Sequence, residues 1–494
     1  MNPYRFAFGA PSPLGSSRSP LLSWVLAGLG LSGALTLGAC APGEREPGVS
    51  NVLVIVLDAL HAGHVHHLGA ERETTPNIDA LAARGVSYSA AFAPAPYTLA
   101  SIPSLLTGRL PDRHGLVQKK VRLPASELTL PEQLSRAGLA GLAAVGNMNG
   151  SELYGLNQGF GEFYNLMRGD QALIRGAAQG IPAELHVPRA PEFVERLEAW
   201  LDQGYGTTTP ALFYLHILEP HSPYQPPAEF RELWLDPEYE GPFAGGDNDT
   251  LIGSNYGRVA VTPADIEAVR ALYDANLAYV DHHVGRLLEA LERAGVRETT
   301  HVALTSDHGE AFWQHGRWGH NEDLYDEALR VPLVIDPAGD DHAQGLIVDR
   351  LVSTMDLFPT LSGLMGVELP AITLDGLDLF DGPLAEDREL VFRSHALLPD
   401  LGLRTARMKS IAVQELGAAE PSYLELELYD MDRDPLELAN LRASAEPGQV
   451  ESVRGRIEAW LEALATDRPA PEAAAELSAA EQAMLETLGY LDEP

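Results

Sequence analysis

Thr305-Ser306-Asp307-His308-Gly309-Glu310 follows a short apolar run, Val302-Ala303-Leu304. The run reads as a buried strand. An Asp beside a His at the C-terminal end of a strand offers a carboxylate and an imidazole to the crevice above a sheet. A second Asp ends an earlier run, Asn51 to Leu57 followed by Asp58. Between them, Pro96-Tyr97-Thr98-Leu99-Ala100-Ser101 opens a helical stretch with a hydroxyl at its start. Two carboxylates and an imidazole suit one divalent ion. Zinc or manganese is favoured, with calcium as the alternative, because calcium prefers all-oxygen cages. A hydroxyl on such an ion loses its proton more easily, so Thr98 Oγ is a candidate nucleophile. Plainer roles stay open: Asp58 and Asp307 as strand-end caps, and Thr98 as a helix N-cap.

These residues need a frame. Apolar runs alternate with helical patterns over the first two thirds of the chain. Helices are expected over Ala80–Arg84, Leu130–Ala137 and Val269–Ala294. Strands are expected over Leu142–Val145, Ala211–Leu215, Val302–Leu304 and Val331–Ile335. That alternation predicts an α/β sandwich with a mostly parallel central sheet flanked by helices. Residues 234–262, rich in Gly, Pro, Asp and Asn, predict a long excursion over the site mouth. From about Asp375 the pattern becomes that of a small antiparallel sheet, with strands at Ser410–Val413 and Tyr423–Leu426, then a helix from about Val450 to Ala465. A Pro/Ala linker and a short helix ending at Gly489-Tyr490-Leu491 finish the chain. The expected divisions are 1–39 signal, 40–50 tether, 51–370 catalytic domain, 371–466 C-terminal α+β subdomain, and 467–494 linker and terminal helix.

At 494 residues the chain can bury a large core. Its net charge is −36. Such a surface repels nucleic acid and anionic membrane surfaces, so neither is expected as a partner through charge. An anionic substrate needs local positive charge at its site. At the N-terminus, Arg5 and Arg18 precede an uncharged apolar stretch from Leu21 to Ala39, which ends in Leu37-Gly38-Ala39-Cys40. This ending resembles the lipobox of bacterial lipoproteins. The resemblance implies cleavage before Cys40, lipid on its sulfur, and export to the periplasmic or outer side of a membrane. A plain transmembrane anchor is the alternative. Cys40 is the single Cys, so no intrachain disulfide can form. The sequence does not specify an oligomeric state.

Taken together, the segments from Asn51 to about Leu441 resemble the sulfatase branch of the alkaline phosphatase superfamily. Asn51–Asp58 matches the first metal strand. Thr74-Thr75-Pro76-Asn77-Ile78-Asp79-Ala80-Leu81 matches the helix after it. Ser104-Leu105-Leu106-Thr107-Gly108-Arg109 with Pro111 to Gly115 matches the nucleophile helix. Pro220-His221-Ser222-Pro223-Tyr224 matches the substrate-side loop. Asp274 to Leu291, Gly319-His320, Arg330-Val331-Pro332-Leu333, and Leu428-Tyr429-Asp430 with Asp434-Pro435 and Asn440-Leu441 follow in order. The resemblance implies an alkaline-phosphatase-like sandwich, hydrolysis of an anionic ester, and a divalent metal. It also implies that His221 and His320 contact the ester, donate a proton to the leaving group or hold a second metal; a structural role is the plainer alternative.

Departures from the family pattern narrow the chemistry. Sulfatases of this family usually carry Cys or Ser followed by x-Pro/Ala-x-Arg, which is oxidised to formylglycine. Here the register places Thr98 at the nucleophile and Ile102 at the Arg. Threonine cannot become formylglycine. Ser101-Ile102-Pro103-Ser104-Leu105 imitates the motif three residues later, at the wrong spacing. Ala59 stands where a second Asp commonly follows the first, and Gly146-Asn147 where a Gly-Lys element is expected. His308 stands where calcium-binding relatives often have Asn. Asp58, Thr98, Asp307 and His308 then resemble the one-metal set of phosphotransferases and phosphodiesterases in the superfamily. The expected function is hydrolysis of a phosphate ester, with sulfate ester hydrolysis, transfer of a phospho-group to a lipid or glycan, and silent binding as alternatives. His216 and His315 are weaker site candidates. The cluster His61, His64, His66 and His67 imitates a metal-binding run but falls at loop positions. Arg404 and Lys409 are placed to reach a substrate anion or to serve structure.

Overall fold

The computed structural model describes residues 50–168, 187–320, 323–339, 342–394, 400–414, 423–465 and 469–474. The expected signal and tether, up to residue 49, and the expected terminal helix lie outside them. Among the described residues, no helix is long and apolar enough to cross a membrane.

The first strand explains the architecture. β1 (Asn51–Leu57) is fully buried along its length. Val52, Val54 and Val56 enter one hydrophobic cluster, and Leu53, Ile55 and Leu57 enter another. A β-branched run buried on both faces belongs in the centre of a covered parallel sheet. The other strands are β2 (Val86–Phe92), β3 (Ala140–Val145), β4 (Glu162–Asn165), β5 (Ala211–Ile217), β6 (Thr300–Thr305), β7 (Arg330–Asp336) and β8 (Leu346–Ser353). They form one eight-stranded sheet in the order β8-β2-β7-β6-β1-β5-β3-β4. Only β7 runs antiparallel to its neighbours.

Helices cover both faces. α1 (Pro76–Arg84), α3 (Ala190–Asp202) and α4 (Pro263–Arg293) supply the cluster around Leu53. α2 (Thr98–Thr107) contributes Leu99, Ile102, Leu105 and Leu106 to the opposite cluster. α4 is 31 residues long and begins with a capping box between Thr262 and Asp265. The expected excursion over 234–262 contains a short 3-10 turn at Pro242–Gly245 and a helix at Asn248–Asn255, whose Leu251 packs with Tyr224 and Phe243.

A second sheet, β9 (Leu390–Arg393), β10 (Leu401–Arg404), β11 (Met408–Gln414) and β12 (Tyr423–Asp430), is wholly antiparallel. Helix α5 (Pro447–Ala465) packs Val450, Val453, Ile457 and Leu464 against it. Lys409 is fully buried and bonds Asp326 and Glu437, each at 2.6 Å. His315 stacks on Tyr325 at 3.6 Å and bonds Glu327 and the Glu437 carbonyl. Both side chains therefore tie the loop before β7 to the chain after β12.

His283 on α4 sets a pH dependence. Burial, with His282 and Arg286 adding positive charge, pushes it from 6.5 down to about 4. The unfolded chain binds a proton there that the folded chain refuses. The stabilisation is therefore complete above pH 6.5 and is lost as pH falls toward about 4. Urea unfolding across that window should show His283→Gln with an acid-side slope shallower by no more than about 1.4 kcal/mol per pH unit, the limit for one proton. Parallel slopes for the two proteins would contradict this.

Candidate active site

β1 and β6 are parallel neighbours in register from Asn51↔Thr300 to Val56↔Thr305. The residues just beyond their C-terminal ends therefore emerge side by side. These are Asp58 and Asp307-His308, all fully buried. One ligand atom from each of the three lies within 4.8 Å of the others. His308 Nε2 is 3.4 Å from Asp307 Oδ2 and 3.7 Å from Asp58 Oδ1.

Local backbone geometry fixes this cluster. Ala59 has φ 59°, so the chain turns sharply after Asp58. The Ala59 amide donates to Asp307 Oδ1 at 3.1 Å, and its carbonyl accepts from Tyr273 at 2.7 Å. Ser306 Oγ accepts from the Leu60 amide and donates to the His308 carbonyl. The Gly309 amide donates to Ala328 O, and a Cβ at Gly309 would stand 2.3 Å from Glu327 O. Only glycine lets the backbone after His308 pass so close. His308 Nδ1 donates to the Gly309 carbonyl at 2.9 Å. Nε2 is then the ring nitrogen that faces the two carboxylates.

That arrangement leaves charge uncompensated. Asp58 Oδ1 and Asp307 Oδ2 are buried without a hydrogen-bond partner. Among the described residues, neither carboxylate is paired with a Lys or Arg. Lone pairs from two carboxylates and an imidazole facing one point fit a bound cation. Burial pushes Asp58 upward, but His221, His216 and His308 outweigh it and hold the carboxyl well below its usual range.

Thr98 opens α2 beside this group and is 2% exposed. Its Oγ1 lies 3.3 Å from His308 Nε2 and 3.2 Å from Asn147 Nδ2. Ser101, in the competing motif, instead donates to the Asp307 carbonyl and pins α2 to the strand end. Two further side chains join it: Asn147, which sequence reasoning did not place at the site, and His216, one of its weaker candidates. Asn147 donates to both Asp58 Oδ2 and Thr98 Oγ1. His216, fully buried on β5 opposite Val56, lies 3.1 Å from Asp58 Oδ2 and 3.8 Å from Asp307 Oδ2. Burial pushes His216 down, but the bond to Asp58 and the two carboxylate charges outweigh it and raise its pKa. A His inside a strand buried on both faces was the available signal.

His320 and His221 stand beyond His308. The His320 ring centroid is 4.1 Å from that of His308 and 5.1 Å from that of His221. His320 Nδ1 is held by Glu310 at 2.8 Å, and Glu310 accepts from Tyr224, which accepts from Trp318. This chain orients the His320 ring. Burial pushes Glu310 up to about 7 and His320 down to about 3. His221 Nδ1 is held by the Ser222 carbonyl.

The other sequence candidates are not brought into the group. His66 and His67 bond Asp79, His64 bonds Asp274, and His61 Nδ1 accepts from Gly63 N. Arg404 lies 3.8 Å from Asp326, beside the ion pairs of Lys409.

Comparison with known proteins identifies the family. The family model described as Sulfatase matches residues 50–367. The choline-sulfatase of Rhizobium meliloti (strain 1021) is 26% identical over 432 residues, covering 80% of this chain and 82% of its own. The phosphonate monoester hydrolase of Agrobacterium radiobacter superposes with a TM-score of 0.62 at 22% identity, over 84% of this chain and 93% of that one. BT4656, solved with its substrate D-glucosamine-2-N,6-O-disulfate, superposes with a TM-score of 0.64 at 18% identity, over 85% and 99%. The two superpositions show a shared fold, and the family match covers more than half of the sequence: the chain belongs to the Sulfatase family.

Proposed function

We propose that this protein is a metal-dependent hydrolase of phosphate or sulfate esters, with the phosphoester favoured and Thr98 Oγ1 as its nucleophile. The observation that carries this reading is the meeting of Thr98 Oγ1 with His308 Nε2 and Asn147 Nδ2 beside two uncompensated carboxylates. Asp58, Asp307, His308 and the Thr98 hydroxyl would hold one divalent ion, zinc or manganese by the donor set. When bound, the ion lowers the pKa of a hydroxyl and offsets charge on an ester oxygen. That local charge is what an anionic substrate needs against a net charge of −36.

The protein's own residues would do the rest. Asn147 and the start of α2 fix the direction of Thr98 Oγ1. Oγ1 forms a bond to phosphorus, and its proton passes to a solvent water. The bond from phosphorus to the leaving oxygen breaks, and His221 supplies that oxygen with a proton; His320, pushed down to about 3, is not protonated for that role and instead contacts the ester. Water then cleaves the phosphothreonine and restores the hydroxyl. With a sulfate ester the same steps take place at sulfur. The choline-sulfatase similarity supports that second reading. With an alcohol in place of water the protein would be a transferase, and product would form only when the acceptor is supplied. A silent binding protein would have no reason to keep Thr98 aimed at this cluster.

Nitrophenyl phosphate, bis-nitrophenyl phosphate, nitrophenyl phosphonate and nitrophenyl sulfate, each with zinc, manganese and calcium, test the class. Phosphorus ester turnover with zinc or manganese is expected. Thr98→Ala should lower it roughly 10³-fold or more while leaving bound metal unchanged; an active variant removes this mechanism. We also propose export and lipid anchoring through Cys40, on the strength of Leu37-Gly38-Ala39-Cys40. Globomycin should then cause the uncleaved precursor to accumulate, and normal processing under the drug would count against it.

A further inference from the structure

A polar cavity of about 290 Å³ lies beside the centre, lined by His61, His64, Arg72, Arg270, Asp274 and Gln314. It shares no residue with the catalytic set. His64 packs on Tyr273 and Phe312 at 4.8 and 5.1 Å, and Tyr273 packs on Tyr224, whose hydroxyl holds Glu310. The cavity therefore abuts the far side of the aromatic layer that supports His320.

Its cations are not equivalent. Arg72 bonds Asp274 at 2.6 Å and also Glu267. His64 bonds the same Asp274. Arg270 differs: among the described residues it has neither a hydrogen-bond nor an ion-pair partner, and its Nε is buried. In a chain with 70 acidic and 34 basic residues, an unanswered arginine in a cavity is out of pattern. Arg270 lines the cavity without a protein acceptor for its guanidinium among the described residues, and a ligand oxygen would supply one. Beside it, His61 Nδ1 already accepts from Gly63 N, so the neutral ring carries its proton on Nε2 and offers a second donor.

We propose that this cavity binds an oxyanion, a carboxylate, sulfate or phosphate group, held by the Arg270 guanidinium and the His61 Nε2–H. Long-range charge does not attract it. Two arginines, Arg72 and Arg270, share the lining with three carboxylates, Glu71, Glu267 and Asp274. Recognition must come from short-range, directional hydrogen bonds, for which arginine's planar fork is suited. A free ion then binds in the millimolar range, and a group carried on a larger molecule binds more tightly. The proposal does not rest on the ester-hydrolase reading.

Phenylglyoxal labelling of the whole protein, mapped to peptides, tests it. Arg270 should label readily in chloride. Inorganic sulfate, phosphate or acetate at matched ionic strength should slow that labelling about fivefold at several times a millimolar Kd. Equal rates in all salts, or an Arg270 that does not label in chloride, would overturn the proposal. The footprint needs no turnover, so it can be read on Thr98→Ala and stands apart from any failure of the hydrolase. A kinetic arm separates the sources. If Arg270→Gln raises KM for a sugar bearing two ester groups and leaves KM for nitrophenyl esters unchanged, the ligand is a second group of the substrate. If neither KM moves while protection is present in the wild type, the ligand is a free ion.

Discussion

Two buried carboxylates that, among the described residues, no lysine or arginine answers govern this structure. Asp58 and Asp307 end adjacent parallel strands, both fully buried, with an oxygen of each lacking any hydrogen-bond donor. At a separation of about 5 Å and an effective dielectric near 20, two such charges repel by about 3 kcal/mol. Desolvation adds several kcal/mol more per ion. Among the described residues imidazoles are the only cationic side chains at hand, and of these His216 bonds Asp58 while His308 gives its Nδ1 proton to a carbonyl. Such an arrangement fits a cation, and the rest of the site is built around the point where these ligand atoms meet.

The surroundings read as devices that prevent the carboxylates from relaxing apart. The left-handed Ala59, the Ser306 hydroxyl shared between Leu60 and His308, and the close passage at Gly309 all fix backbone within two residues of a ligand. Ser101 ties the helix that Thr98 opens to the same strand end. Catalytic positioning of this kind depends on the supporting contacts as much as on the ligands. Where the family pattern is broken, the replacements are local. Ala59 takes the place of an acid by adopting a turn, and Asn147 takes the place of a lysine by bonding Asp58 and Thr98 together.

The central sheet was legible in the sequence because β1, β5, β6 and β7 are apolar runs buried on both faces, a signal strong enough to be read without knowing their neighbours. The convergence of Asp58, Asp307 and His308 was legible because strand ends in a parallel sheet point to one crevice; Thr98, which opens a helix, was placed with them by the family register. His216 was weighed as a weak candidate only, because its role depends on the register Val56↔His216, which is a property of pairing and not of its own segment. Asn147 carried no signal beyond the missing lysine. Lys409 could be read either way in sequence; its two carboxylate partners come from segments 83 residues upstream and 28 downstream of it. The excursion over 234–262 folds because Leu251 and Phe243 find a distant aromatic cluster, which composition alone cannot reveal.

The most direct measurement is a crystal of the protein grown with zinc or manganese, with anomalous scattering recorded at the metal's absorption edge. The account predicts a single strong peak coordinated by Asp58, Asp307 and His308, with the Thr98 hydroxyl in its shell. A protein that takes up no ion, or a peak to which Thr98 turns its back, would contradict it.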